Sequence, residues 1–132
     1  MKKIILRGII IVSSVLMAGC SQEAQKPEEI KVSELNTPCD YLTAIMSHGN
    51  EMLKILGNPN FSNLEYKKKR TIFRGLSQVE RERLFLLYRS VQNMGRAFKI
   101  NDFDEDDMKE CEGYKDFILL DDKLDGLERF LD

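Results

Sequence analysis

From residue 37 onward, the apolar side chains of this 132-residue chain recur at spacings of three and four, and this period constrains the fold most. Such spacing places apolar side chains on one face of an α-helix, whereas a half-buried strand would show alternation. We therefore predict an all-α domain over residues 37–132, a small bundle of four or five helices. Its clearest stripe is Leu84, Leu87, Tyr88, Val91, Met94 and Phe98, and its last is Phe117, Leu120, Leu124, Leu127 and Leu131.

Capping signals predict where these helices begin and end. Thr37 before Pro38 is typical of a first helical turn, and Gly57-Asn58-Pro59 should end that helix. Gly75, just before another capping signal, favours a break between two helices; the alternative is one long helix. Later starts are indicated by capping residues with an acid three positions on: Ser62 with Glu65, Ser77 with Glu80, and Asp102 with Glu105.

The first nineteen residues have the composition of an export signal. They carry three basic residues and no acid, and an apolar run follows the last of these, Arg7. A lasting membrane span needs about 20 consecutive apolar residues, and the uncharged run between Arg7 and Cys20 is shorter than that. We therefore predict that residues 1–19 are a signal peptide.

The segment around Cys20 resembles the lipobox of bacterial lipoprotein precursors. Ala18 and Gly19 match the small residues of that motif, and Cys20 matches its invariant cysteine, while Met17 stands where leucine is usual. The resemblance covers residues 1–21 and implies cleavage before Cys20, which then carries acyl chains. Two or more such chains hold a protein durably on a membrane.

The same resemblance implies a location in the cell envelope. Ser21 follows the cysteine, and in enteric lipoproteins a residue other than aspartate at this position is associated with the outer membrane. Residues 21–36 are polar and show no sustained apolar stripe, so we predict that residues 20–36 are a lipidated cysteine and a disordered tether. Sixteen such residues would have an end-to-end distance of about 20 to 24 Å.

Two cysteines besides Cys20 belong to the exported part of the chain. Oxidising compartments favour pairing of Cys39 with Cys111, and the bond would close a long loop. The alternative is two separately buried thiols. A metal site on these two sulfurs would need two further ligands at spacings that the sequence does not supply.

His48 is the only histidine, and it limits the catalytic chemistry that the chain can support. The sequence around it lacks the second histidine of a zinc-protease helix, and no serine occupies a nucleophile elbow. We predict a surface or partly buried histidine without a catalytic role. The protein is then not an enzyme, and we expect no cofactor and no small-molecule substrate.

An acidic stretch at residues 101–110 resembles the start of a calcium loop only in part. Counted from Asp102, the sixth and twelfth positions are Asp107 and Gly113, where an EF-hand needs glycine and glutamate. Acids at a helix N-terminus are explained by capping and the helix dipole, and weak cation binding is the alternative. Partner-binding candidates here are Asp102, Asp104 and Asp106.

A basic stretch at residues 66–74 provides partner-binding candidates of positive charge. These are Lys67, Arg70 and Arg74, which lie on one helical face. Nucleic acid is not expected, because the chain without residues 1–19 has 17 basic and 22 acidic residues, a net charge of −5. The face is either solvated or contacts anionic lipid headgroups or an acidic partner. Residues 51–100 carry a net +7 and residues 101–132 a net −9, a separation that can orient a charged partner.

These features favour a non-enzymatic protein-binding module anchored at the envelope, an assembly factor or adapter such as one of a secretion system. In its predicted architecture alone, this chain is similar to the pilotins, small helical lipoproteins that act on outer-membrane secretins. One alternative is an immunity-type inhibitor whose acidic C-terminal third covers the basic active site of a periplasmic toxin. Another is a metal-binding protein that uses the carboxylates of residues 102–107 with His48.

Overall fold

The structure, a computed structural model, describes residues 26–131; the predicted signal peptide and Cys20 lie outside this range. Its described part is helical and contains no strand, which confirms the prediction of a small all-α bundle. Single 3-10 turns occupy Pro27–Glu29, Val32–Glu34 and Phe61–Asn63. The α-helices are α1 (Pro38–Leu56), α2 (Tyr66–Gly75), α3 (Gln78–Ile100), α4 (Glu105–Met108), α5 (Tyr114–Lys123) and α6 (Glu128–Leu131).

The boundaries of α1 follow from its local sequence, as predicted. The Thr37 hydroxyl accepts a hydrogen bond from the backbone N–H of Asp40 at 3.1 Å, and the Asp40 carboxylate accepts one from the N–H of Thr37 at 3.1 Å. This reciprocal pair satisfies N–H groups that the first helical turn leaves free. Gly57 ends the helix with a φ of +69°, a conformation that favours glycine.

The predicted break after Gly75 is present. Ser77 caps α3, since its hydroxyl accepts from the N–H of Glu80 at 3.1 Å and the Glu80 carboxylate accepts from the N–H of Ser77 at 2.9 Å. Ser62 does not cap α2, because it lies within a 3-10 turn and the helix begins at Tyr66.

Two details of the acidic C-terminal third differ from the prediction. The residue that caps α4 is Asp104, paired with Asp107, whereas Asp102 adopts a φ of +63°. The last stripe is not one helix, because the chain leaves α5 after Lys123 and turns through Gly126 at a φ of +88°. That turn brings α6 back onto the core.

The helices α1 and α3 form the centre of the bundle, and buried side chains gather in two clusters along them. Gly49 lets α5 approach α1 closely, because a Cβ atom there would lie 2.8 Å from Leu120 Cδ2. One cluster consists of Tyr41, Leu42, Ala44, Met94, Phe98, Met108 and Cys111. The other consists of Met52, Leu56, Phe61, Leu84, Leu87, Leu127 and Leu131.

Residues 26–36 lie on the domain, which corrects the prediction of a disordered tether that extends to residue 36. Pro27 is buried, and Ile30, Val32 and Leu35 pack against the first core cluster. These apolar residues have no helical period, so the sequence pattern did not reveal them. Their burial stabilises an ordered segment that lacks an α-helix.

Candidate functional site

A largely apolar groove with a volume of about 560 Å³ lies between α2, α3 and α6. Gln78, Arg81 and Glu82 of α3 form its polar edge. We call it the aromatic groove, and its apolar lining is Phe73, Phe85, Leu86, Phe130 and Leu131.

Phe130 builds one wall of the aromatic groove. Its ring stacks on Tyr66, with centroids 5.4 Å apart, and on Phe73 at 5.5 Å. It also meets the buried ring of Phe61 edge-on at 6.4 Å. Offset stacked and edge-to-face pairs are the favourable arrangements of aromatic rings. The turn before α6 therefore holds an aromatic side chain against α2.

The opposite wall exposes apolar side chains of α3 to solvent. Leu86 is 64 % exposed and Phe85 37 %, and Val79, at 74 %, lies two helical turns before Leu86 on the same face. Exposed apolar side chains that line a concave surface, as Phe85 and Leu86 do, mark a binding surface more often than single exposed residues do.

Arginine side chains lie in the lining of the aromatic groove or next to residues that line it. Arg74 of α2 and Arg89 of α3 are exposed, and Arg81 is half-buried. The guanidinium of Arg89 lies 5.3 Å from the centre of the Phe85 ring. Within residues 26–131, no carboxylate lies within ion-pair distance of these three arginines, so their charge is available to a partner.

The predicted basic residues lie beside this groove. Lys67, Arg70 and Arg74 are exposed on α2, and the helical period places their face next to the one that carries Tyr66 and Phe73. Arg70 contacts that aromatic face directly, with its guanidinium 5.7 Å from the centre of the Tyr66 ring.

Two of the three predicted acidic residues, Asp104 and Asp106, bind groups three residues away in their own segment. Asp104 accepts a hydrogen bond from the N–H of Asp107 at 3.3 Å. Asp106 pairs with Lys109 at 2.6 Å, and this contact lowers the pKa of the Asp106 carboxyl. Asp102 is exposed. In the part of the chain that the structure describes, no ion pair joins these acids to the basic residues of α2.

The predicted disulfide between Cys39 and Cys111 is present, with Cα atoms 5.5 Å apart. It joins the first turn of α1 to the segment after α4 and so holds the acidic C-terminal third against the bundle. No metal site accompanies it: across residues 26–131, no group of three or more His, Cys, Asp or Glu side chains is arranged to hold an ion.

His48 lies in the core, so the prediction of a surface or partly buried histidine was wrong. It is 1 % exposed, and its Nδ1 lies 2.8 Å from the backbone oxygen of Ala44. Loss of water contact lowers its pKa, because burial disfavours the charged ring. The helical period could have revealed this, since His48 lies three residues after Ile45 and four before Met52, positions that share one face of a helix.

Acidification should therefore destabilise the fold through His48. Its pKa is 6.5 in the unfolded chain and lower in the folded protein, so the unfolded state binds more protons and stability falls as the pH drops below about 6.5. Thermal unfolding at about pH 7.5 and pH 5.5 measures this. The loss of melting temperature should be larger for the wild type than for His48→Gln, and equal losses would contradict it.

Arg83 joins three segments and was not identified from the sequence. Its guanidinium donates to the Glu28 carboxylate at 2.6 and 3.1 Å and to that of Glu51 at 2.7 Å. These bonds lower the pKa of both glutamates and raise that of Arg83. The contact holds residues 26–29 beside the first turns of α3.

Sequence reasoning also missed the aromatic groove as a site. Phe85 and Leu86 lie off the apolar stripe of α3, which is the signal that could have indicated a second apolar face. Phe130 lies next to the final stripe and gave no such signal.

Comparison of the chain with protein-family models, curated proteins and solved structures finds no match. None of the helices within residues 26–131 has both the length and the apolar character needed to cross a membrane.

Proposed function

We propose that this protein is a non-enzymatic protein-binding module of the bacterial cell envelope, anchored to lipid through acylated Cys20. The aromatic groove is the observation that carries the proposal. A small domain that leaves Phe85, Leu86 and Val79 in water forgoes roughly 25 cal/mol for each Å² of apolar surface that it could bury. A partner that covers this surface recovers that energy. The role is that of an assembly factor or adapter, as in a secretion system.

The lipobox resemblance and the ordered N-terminal segment together support a position close to the membrane, with the outer membrane as its location. Because residues 26–36 pack on the domain, only residues 21–25 separate the lipidated cysteine from it. The six Cα–Cα steps from Cys20 to Lys26, at up to 3.6 Å each, span at most about 22 Å. Arg83 holds Glu28 beside α3, the helix that forms one wall of the aromatic groove. The domain, and the aromatic groove with it, would therefore lie close to the membrane surface.

An immunity-type inhibitor of a periplasmic toxin is the second candidate. The exposed acids between Asp102 and Asp107 favour it, because a negative surface can cover a basic active site. Loss of the gene would then be lethal only in cells that meet the cognate toxin. Lethality without any toxin would oppose this candidate.

Substitution of the anchor tests the location. Cys20→Ala should move the protein from the membrane fraction to the soluble fraction of the envelope, because a chain without acyl groups lacks the buried methylenes that hold it. Immunoblots of fractionated cells measure this, with Ser33→Ala as the control for an exposed substitution near the N-terminus. Retention in the membrane fraction of a Cys20→Ala protein from which residues 1–19 have been removed would refute the anchor.

Substitution of the aromatic groove tests protein binding. Leu86→Asp should lose a partner that the wild type retains during purification from detergent-solubilised envelopes, because a carboxylate in an apolar contact is costly to desolvate. Ile100→Asp is the matched control, since Ile100 is on the same helix, 80 % exposed and outside the groove. Equal retention by both variants would contradict the proposal.

A further inference from the structure

We infer that the aromatic groove binds an acidic amphipathic helix of the partner. This inference rests on the proposed function only in requiring a protein partner, and it does not depend on the lipid at Cys20. It assigns the occupant from three observations: the concave apolar lining, the length of the exposed apolar surface on α3, and the charge of the surrounding side chains.

The shape of the groove suits a helix. Walls from α2, α3 and α6 enclose a concave surface of about 560 Å³, which can receive a few apolar side chains, whereas a flat lipid surface would leave the concavity unfilled. Beyond the lining, Val79 is a second exposed apolar residue on the face of Leu86, about 10 Å from it along α3. A partner helix with apolar residues at i, i+4 and i+7 presents a stripe of the same length.

The charge around the groove indicates which side chains should flank the apolar stripe of the partner helix. Arg74, Arg81 and Arg89 have no carboxylate partner in the described chain, as shown above. One acid is at the rim, Glu82, and it accepts a hydrogen bond from the amide of Gln78 at 3.2 Å. The two charged residues of the lining, Arg81 and Glu82, are of opposite sign, and Arg89 beside the ring of Phe85 makes the charge at the groove positive. Glutamate or aspartate beside the apolar stripe of the partner would pair with Arg81 and Arg89.

Binding of designed peptides to the full-length protein in detergent tests the inference. The probe is a fluorescent helical peptide with leucines at i, i+4 and i+7 and glutamates on both flanks. One control peptide replaces the glutamates with lysines and another replaces the leucines with serines. The acidic peptide should bind at least about tenfold more tightly than either control, and its affinity should fall as salt is raised.

Variants locate the peptide on the protein. Leu86→Asp should weaken the acidic peptide at least about tenfold, while Ile100→Asp leaves its affinity unchanged. Arg81→Glu should reduce the preference for the acidic over the lysine peptide. Equal affinity of the acidic and lysine peptides, or equal loss in Leu86→Asp and Ile100→Asp, would overturn the inference.

Other occupants give different results, each of which would overturn it. Leu86-dependent binding to phosphatidylcholine vesicles with about a quarter phosphatidylglycerol, without peptide binding, would identify a lipid surface. Leu86-dependent self-association in sedimentation would identify a second copy of the chain. If the peptides fail but Leu86→Asp still loses an envelope protein, the proposed function stands and the acidic helix is wrong.

Discussion

Replacement of both Cys39 and Cys111 with serine is expected to lower the free energy of unfolding by about 4 kcal/mol. The two cysteines are 72 positions apart in sequence, so their bond removes much of the conformational freedom of the unfolded chain. For a domain with a typical stability of about 5 to 15 kcal/mol, this is a large fraction.

The folded structure indicates which segment of the double-serine variant should lose stability first. The segment after α3 contains only the single turn of α4, and its apolar anchors are Met108 in the core and the ring of Phe103, 6.2 Å from that of Tyr41. Without the disulfide, these contacts and the hydrogen bond from the Asn101 amide to the Tyr41 hydroxyl at 3.1 Å hold the acidic segment against α1. We expect faster amide hydrogen exchange at residues 102–113 than in the centre of α3.

Urea unfolding followed by circular dichroism measures the stability of the double-serine variant. Wild-type protein treated with a reductant is the control, and its stability should match that of the variant within a few tenths of a kcal/mol. The wild type should also migrate faster on a non-reducing gel than after reduction. A stability difference below about 1 kcal/mol between oxidised wild type and variant would contradict the expected role of the bond.

The substitution Leu84→Ala is expected to cost about 2 to 5 kcal/mol of unfolding free energy. Leu84 is completely buried, in the core cluster where α1, α3 and α6 meet. Removal of its three outer carbon atoms loses their transfer energy and leaves a cavity that the neighbouring side chains fill only in part.

Leu86→Ala on the same helix is the matched control. Leu86 is mostly exposed, so its truncation should change the stability by no more than about 0.5 kcal/mol. Both variants are measured by urea unfolding with circular dichroism. Similar costs at the two positions would mean that the orientation of α3 described above is wrong. The same unfolding measurement on Leu86→Asp shows whether its binding defect is separate from a folding defect.

The helices themselves were largely predictable, because their signals are local. Thr37 and Ser77 cap through bonds to residues three positions away, so their patterns remain visible in the sequence. Ser62 and Asp102 show the same pattern without capping, since a 3-10 turn and a residue of positive φ occupy those places. A local signal of this kind indicates a helix start only where the neighbouring packing allows it.

The aromatic groove and the docking of residues 26–36 were not predictable in the same way. Glu28 meets Arg83 across 55 positions and Glu51 meets it across 32, and no spacing rule links such residues. Phe130 reaches Tyr66 and Phe73 only because the chain turns at Gly126.

The sequence by itself determined the all-α class, the ends of α1, the break after Gly75 and the pairing of the cysteines. Each follows from contacts within about four residues along a helix or from the small number of thiols. Only the tertiary structure decided which apolar residues remain exposed beside α2 and α6, and that residues 26–36 belong to the domain. The physical reason is that burial depends on how helices pack against one another, and that packing joins residues far apart in the chain.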